Sequence, residues 1–436
     1  MSTVAHTTLA VLGGSSPATP VLIAALRRAQ AAGRLGTIEL RLYGRNRARL
    51  QRICDYAGNM PTPPNSVAGS AGQLPALSLA ACNDLAGCLQ GATHVLCMVR
   101  PGGMSGRADD ELFARRTGAI ADEGLGVGGL RCYLRGRELI QSLAEACARH
   151  APNAWLLQMS SPLGLTVALS RRAQGDRAVG VCELPLTTAQ RLRALLETTG
   201  PRWSSHSHAG LNHQSWLYAF RDAAGHDITA QILAALPADT GLGVATAKIR
   251  ELGAVPVHYL RMYFHPRRVR AEQQNARVRG RELAAWSERV EHALCADGGP
   301  DSPRVDELLG ERRMDWFDEG VVPVLEALQQ SQPGTFPLNV PAAEAMPGAP
   351  ADAVVEIDCA VSNRGVRPLS VPPLPAGPAA LTRALLKFER AALALPRSPT
   401  ASMLGEVASA HPLVPRGKLG EIARALAEVR AEPPCA

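Results

Sequence analysis

Thr8-Leu9-Ala10-Val11-Leu12-Gly13-Gly14-Ser15-Ser16-Pro17 is the stretch on which the fold turns. Its first five residues form an apolar run with strand character. The run ends in a glycine-rich turn, and Pro20-Val21-Leu22-Ile23-Ala24-Ala25-Leu26-Arg27-Arg28 follows with helical periodicity. Strand, glycine-rich turn and helix together open a dinucleotide-binding unit. Glycine lets the backbone approach a pyrophosphate, and the free N–H groups of the helix N-terminus face its charge. The turn is not GxGxxG, because Ser15 and Ala18 occupy possible glycine positions, so an ordinary tight turn competes. Gly13, Gly14, Ser15 and Ser16 are the candidate cofactor contacts.

Working outward, Thr37-Ile38-Glu39-Leu40-Arg41-Leu42-Tyr43 reads as a second strand, ending in Gly44-Arg45-Asn46-Arg47. An NAD site usually offers Asp or Glu at this point to the ribose 2′-OH. Gly44 stands there instead. Arg45 could accept a 2′-phosphate, so NAD+ and NADP+ are both admissible; an exposed basic turn is the plain reading.

Residues 58–80 read as a loop rich in Pro, Gly, Ser and Ala. Thr93-His94-Val95-Leu96-Cys97-Met98-Val99 is another buried strand and runs into Arg100. A helix is predicted to start near Arg107-Ala108-Asp109-Asp110-Glu111. The stretch from Gly124 to Gly129 reads as a flexible loop, and a helix is predicted around 137–150. Ala154-Trp155-Leu156-Leu157-Gln158-Met159 and Ala178-Val179-Gly180-Val181 are two further strands. They end in Ser160-Ser161-Pro162 and Cys182-Glu183-Leu184-Pro185. Strands alternating with helices predict an α/β fold, a Rossmann-like doubly wound parallel sheet over residues 1–188. Polar clusters then fall at strand carboxyl ends, where such sheets bind ligands.

Past that point the pattern changes, and residues 189–436 read as a mixed α+β second domain. Trp216–Phe220 with Asp222–Gly225 reads as a hairpin strand and turn. Helices are predicted over 229–253, 270–297, 317–330, 379–395 and 415–431, and a strand over 352–359. A proline-rich connector is predicted over 367–378.

Composition narrows the function classes. Of 436 residues, 46 % are hydrophobic and 19 % charged, ordinary values for a globular protein. The net charge of +7 is modest and the arginines are dispersed, which argues against nucleic acid and favours anionic small molecules. No run has the length of a transmembrane helix. The ten cysteines form no CxxC, and Cys97 and Cys147 sit in apolar patterns as core thiols. That usage predicts a reducing cytoplasm.

Chemistry-bearing residues gather at Cys182-Glu183 and at Gly210-Leu211-Asn212-His213. Thiolate and imidazole are metal ligands, and a carboxyl serves as ligand or acid/base. Cys182 and His213 are therefore predicted to share a metal beside the nicotinamide. As a donor pair they suit Zn, Co, Ni or Fe. His206, His208, His258 and His265 read as structural or solvated rather than as a second metal site.

Taken in order, these motifs resemble the family 4 glycoside hydrolases. The resemblance runs through Gly13-Gly14-Ser15-Ser16, Arg100, Gly118 to Gly129, Pro152-Asn153-Ala154-Trp155 and Ser160-Ser161-Pro162. It continues through Cys182 with Pro185, Gly210-Leu211-Asn212-His213, and Tyr259 within Val255-Pro256-Val257-His258-Tyr259-Leu260. Leu338-Asn339-Val340-Pro341, Asp352-Ala353-Val354-Val355-Glu356 and His411-Pro412-Leu413-Val414-Pro415 complete it. The resemblance implies a lactate/malate dehydrogenase-like architecture, bound NAD+, Mn2+ or another divalent metal, a carbohydrate substrate and a homodimer or homotetramer. It also implies an NAD-dependent route outside two-carboxylate hydrolysis. In such enzymes a hydride leaves C3 of the sugar, the C2 proton becomes acidic, and the aglycone is eliminated from C1. Water then adds and the hydride returns.

By the same resemblance Cys182 and His213 match the metal ligands and Tyr259 the base. Glu183 stands where members tend to carry Asp, Asn or His, so it could protonate the leaving group or bind metal. Arg100, Ser161 and Asn212 are candidate substrate contacts. Ser161 replaces a usual Asn, and Arg268, Arg270 and Gln273 do not align with the phosphate-contacting region, so a 6-phosphate on the sugar is left open. The competing reading is an NAD(P)-dependent oxidoreductase or lyase on a sugar-like substrate. A non-catalytic NAD-binding sensor would need neither Cys182, His213 nor Tyr259.

Overall fold

A computed structural model describes residues 6–60, 76–120, 122–198, 200–296 and 299–435. Twelve strands form one sheet: β1 (Thr7–Leu12), β2 (Ile38–Tyr43), β3 (Leu77–Ala81), β4 (His94–Cys97), β5 (Trp155–Gln158) and β6 (Ala178–Val181), then β7 (Ser205–Leu211), β8 (Gln214–Arg221), β9 (Val255–Pro256), β10 (Gly334–Pro341), β11 (Val354–Ser362) and β12 (Gly365–Pro368). Their order is β3-β2-β1-β4-β5-β6-β10-β11-β7-β8-β9, with β12 on β11. The first six strands are parallel. Their 3-2-1-4-5-6 order is that of a dinucleotide-binding fold, with the switch point between β1 and β4. From β6 onward all pairings are antiparallel. The Rossmann-like sheet and the mixed second part are thus as expected, and one sheet runs through both.

Helices α1 (Thr19–Ala31), α2 (Arg47–Gly58), α3 (Leu85–Leu89), α4 (Gly103–Thr117), α5 (Gly126–His150), α6 (Leu163–Gln174) and α7 (Leu184–Leu196) complete the parallel half. Leu9 and Val11 enter one core cluster, while Ala10 and Leu12 enter another across the sheet. Both faces are covered, which is why the strands read as unbroken apolar runs instead of alternating.

Several expectations require correction. Strand β3 occupies the end of the stretch read as loop; residues 61–75 of that stretch lie outside the described residues. The glycines from Gly126 to Gly129 belong to the first turn of α5, not to a loop, so that helix starts eleven residues before the predicted one. Residues 229–253 form two short helices, Thr229–Ala235 and Thr246–Leu252. Pro237, Gly241 and Gly243 lie between them, and proline and glycine disfavour a continuous helix. The span 270–297 divides into helices Pro266–Asn275 and Arg279–Leu294, with Ala276 in extended conformation between them.

Candidate functional site

Residues at the carboxyl ends of the parallel strands enclose a cavity of about 780 Å³. That is within the usual range for cofactor and ligand sites. Register puts Leu12 level with Tyr43 and with Cys97, so the turns after β1, β2 and β4 open side by side. The N–H groups of Gly13 and Gly14 both donate to the Tyr43 carbonyl, at 2.9 and 2.8 Å. Thr19 Oγ1 donates to the Gly14 carbonyl at 2.8 Å. The turn is therefore pinned at both ends. Gly13, Ser15 and Ser16 line the cavity, while Gly14 packs against Leu42. Gly13 has φ +89°, and a Cβ there would lie 3.1 Å from the Met98 backbone. Such a turn, opened by two glycines ahead of a helix N-terminus, fits a dinucleotide pyrophosphate.

Strand β6 delivers Cys182 and Glu183 to the far wall. Cys182 Sγ lies 3.9 Å from Glu183 Oε2. Burial, then the charges of Glu183 and Glu356, push the thiol well above its ordinary value. Glu183 occupies the N-cap position of α7 without capping it. Burial raises its carboxyl, with further like charge from Asp315 and Glu123.

His213 arrives from the other half of the chain. Leu211 pairs with Gln214, so Asn212 and His213 form a two-residue turn between β7 and β8. His213 has φ +62°, an uncommon conformation outside glycine that costs about 1–2 kcal/mol. The ring is held neutral by burial, and its Nδ1 is buried with no hydrogen-bond partner. Strand β9 pairs with β8, and the chain then turns through His258–Leu260. That turn stacks Tyr259 on His213, centroids 4.7 Å apart. Burial, then Asp122 and Glu123, raise the phenol above its ordinary value.

Among the described residues no group of three or more His, Cys, Asp or Glu side chains could hold a metal ion alone. Cys182 and His213 nevertheless line one cavity, and the imidazole nitrogen without a hydrogen-bond partner is free to act as a ligand. These donors fit a metal that takes only two protein ligands and completes its shell with substrate oxygens.

The remaining predicted residues fall as follows. Arg45, Arg100, Ser161 and Asn212 line the same cavity. Arg100 is already paired with Glu123, as is Arg107. Burial opposes the Glu123 charge, but the two guanidinium groups outweigh it and hold the carboxylate at about 2. Asn212 Nδ2 donates to Glu356 Oε1 at 3.0 Å. Ser215 Oγ donates to Glu356 Oε2 at 2.7 Å, and Asn339 Nδ2 to Oε1 at 3.1 Å. Glu356 thereby supports the turn that carries His213. His206 stacks on Phe220 and His208 is buried beside Glu356, structural places as expected.

Glu123, Glu356 and Arg312 were missed by sequence reasoning. Glu123 lies inside the glycine-rich stretch and Glu356 inside the quoted Asp352–Glu356 motif, so both were in view without a role. Arg312 carries no motif. It lines the cavity and lies over Trp286 and Trp316, 5.4 and 5.0 Å from their ring centroids.

Two family profiles match the chain: family 4 glycosyl hydrolase over residues 8–198, and the family 4 glycosyl hydrolase C-terminal domain over residues 208–414. A "Probable 6-phospho-beta-glucosidase" of Bacillus subtilis (strain 168) is 26 % identical over 316 residues, 70 % of this chain and 71 % of that protein. A 6-phospho-beta-glucosidase of Escherichia coli (strain K12) is 25 % identical over 297 residues, 64 % of this chain and 65 % of its own length. Among solved structures, the 6-phospho-beta glucosidase of Thermotoga maritima with manganese, NAD+ and glucose-6-phosphate superposes with TM-score 0.81 at 19 % identity. It covers 98 % of this chain and 100 % of that one, a likeness of fold.

Proposed function

The chain belongs to glycosyl hydrolase family 4 and is a glycosidase of that family; we propose that it cleaves a glycoside or 6-phosphoglycoside by transient oxidation at C3 and elimination across C1 and C2. The observation that carries this reading is the convergence of Cys182, Glu183, His213 and Tyr259 on the dinucleotide cavity. A bound nicotinamide dinucleotide supplies reversible hydride acceptance, and a divalent metal, Mn2+ in the proposal, supplies Lewis acidity towards the sugar oxygens.

This chain's own residues do the rest. Gly13, Ser15 and Ser16 seat the pyrophosphate. Cys182 Sγ and His213 would hold the metal, and the neutral imidazole is in the form a ligand needs. Tyr259 Oη takes the C2 proton; its raised proton affinity makes it a strong base once positive charge beside it favours the phenolate. Glu183, whose proton affinity is raised by burial, gives its proton to the departing C1 oxygen. Arg100, fixed by Glu123, orients the sugar together with Ser161 and Asn212. A carboxyl of raised proton affinity at Glu183 supports glycosidic cleavage over the oxidoreductase reading, which has no leaving group to protonate. The proposed substrate is a small carbohydrate, and the proposed enzyme is a homodimer or homotetramer of the cytoplasm.

The test is incubation with a nicotinamide dinucleotide, Mn2+ and a reductant against nitrophenyl glycosides with and without a 6-phosphate. Nitrophenol release that Cys182→Ser abolishes supports the reading. Net reduced cofactor without sugar release contradicts it.

A further inference from the structure

The adenosine end of the cavity departs from an NAD site, and resting on the function proposed above we propose that the chain takes the 2′-phosphorylated dinucleotide, NADP+, in preference to NAD+. Recognition of an unphosphorylated ribose uses a carboxylate at the end of the second strand, while a 2′-phosphate uses arginine. Strand β2 ends at Tyr43 and the next residue is Gly44. A side chain added there would crowd Ser15 of the pyrophosphate turn. A Cβ on Gly44 would lie 2.5 Å from Ser15 Oγ and 3.0 Å from both Ser15 Cβ and Ser15 N. The carboxylate is thus absent, and Ser15 crowds the place where its side chain would start.

Arginines take its place. Arg45 and Arg49 line this end of the cavity. Arg49 Nη1 donates to the Ser15 carbonyl at 3.3 Å, which anchors it beside the same turn, and it pairs with Glu291. Arg47, two residues beyond Arg45, holds the Asn83 carbonyl and has no ion pair among the described residues. Arg45 is the available cation. Its side chain is 77 % exposed, and its one carboxylate neighbour, Glu432 on the C-terminal tail, stands 3.6 Å away. Glu432 Oε1 is occupied by the Gly102 N–H at 2.6 Å. Glu288 also lines this end and is the carboxylate a phosphate would have to avoid. A dianionic phosphate in the cavity beyond the end of β2 would meet the Arg45 fork, which matches its oxygens bidentately.

Isothermal titration of the full chain with NADP+, NAD+ and 2′,5′-ADP as probes tests this. NADP+ is expected to bind at least tenfold more tightly than NAD+, with 2′,5′-ADP competing. Arg45→Ala is expected to remove at least tenfold of that ratio, and an exposed side chain can be removed without unfolding the protein. Equal or tighter binding of NAD+, or an equal loss for both cofactors in Arg45→Ala, overturns the inference and leaves the proposed function standing. Absence of binding by either dinucleotide overturns both.

Discussion

The imidazole of His213 and the phenol ring of Tyr259 lie stacked, with centroids 4.7 Å apart and planes 23° from parallel. The contact couples the proposed ligand to the proposed base through ring faces, so removing the hydroxyl alone leaves it intact. Tyr259→Phe is therefore expected to fold with an unchanged melting temperature and to keep KM within about threefold, while kcat falls about 10²–10⁴-fold, the usual range for a general base. An unchanged kcat would remove Tyr259 from the mechanism.

Burial keeps the Cys182 thiol protonated at neutral pH, so a metal must displace its proton on binding. The apparent affinity for Mn2+ is expected to rise about tenfold per pH unit between pH 6 and 8, one proton per metal. Cys182→Ser is expected to weaken binding by at least about tenfold, since a hydroxyl is a poorer donor than a thiolate. Metal titrations across pH measure both. Affinity that does not change with pH would show that Cys182 is not a ligand.

Glu183 is raised by burial, in the direction that keeps a carboxylic acid neutral. Glu183→Gln is expected to slow alkyl glycosides about 10²-fold and to spare nitrophenyl glycosides, whose leaving group needs no proton. The alkyl rate of the parent enzyme should fall on the alkaline side, as Glu183 ionises. Equal losses for both aglycones would assign Glu183 to the metal instead.

The carboxyl of Glu356 is pushed up to about 7, by burial first, with hydrogen bonds from Ser215, Asn212 and Asn339 opposing. It is thus protonated in the fold at a pH where the unfolded chain has released that proton. Its contribution to stability is full below the unfolded value near 4.3 and is lost as pH rises towards 7. Gln mimics the protonated acid. Glu356→Gln is expected to gain about 2–3 kcal/mol relative to the parent between pH 5 and pH 8, read from urea unfolding at each pH. A constant difference across that range would mean that Glu356 is ionised in the folded protein.

The parallel half was legible because its strands are buried on both faces and read as continuous apolar runs between glycine-rich turns. That Cys182 and His213 line one cavity was legible because Cys182 directly follows an apolar strand and His213 closes a polar cluster just before an apolar run. Glu123 was not, because its role depends on Arg100 and Arg107 converging on it from 23 and 16 residues away. The start of α5 was misread because glycine signals a loop, whereas here its lack of a side chain lets the first turn pack tightly: a Cβ on Gly129 would lie 2.0 Å from the Gly124 carbonyl oxygen. The span 229–253, predicted as one helix, differs for the opposite reason: Pro237, Gly241 and Gly243 interrupt it. Strand β7 escaped notice because Ser205-His206-Ser207-His208 carries no apolar pattern.

The central claim is that bond cleavage passes through removal of the C2 proton by Tyr259. Turnover of a nitrophenyl glycoside in D2O, with dinucleotide and Mn2+ present, tests it most directly. The account predicts product sugar carrying deuterium at C2, no net accumulation of reduced cofactor, and loss of both release and deuterium in Tyr259→Phe. Aglycone release with C2 still carrying its original hydrogen would contradict it.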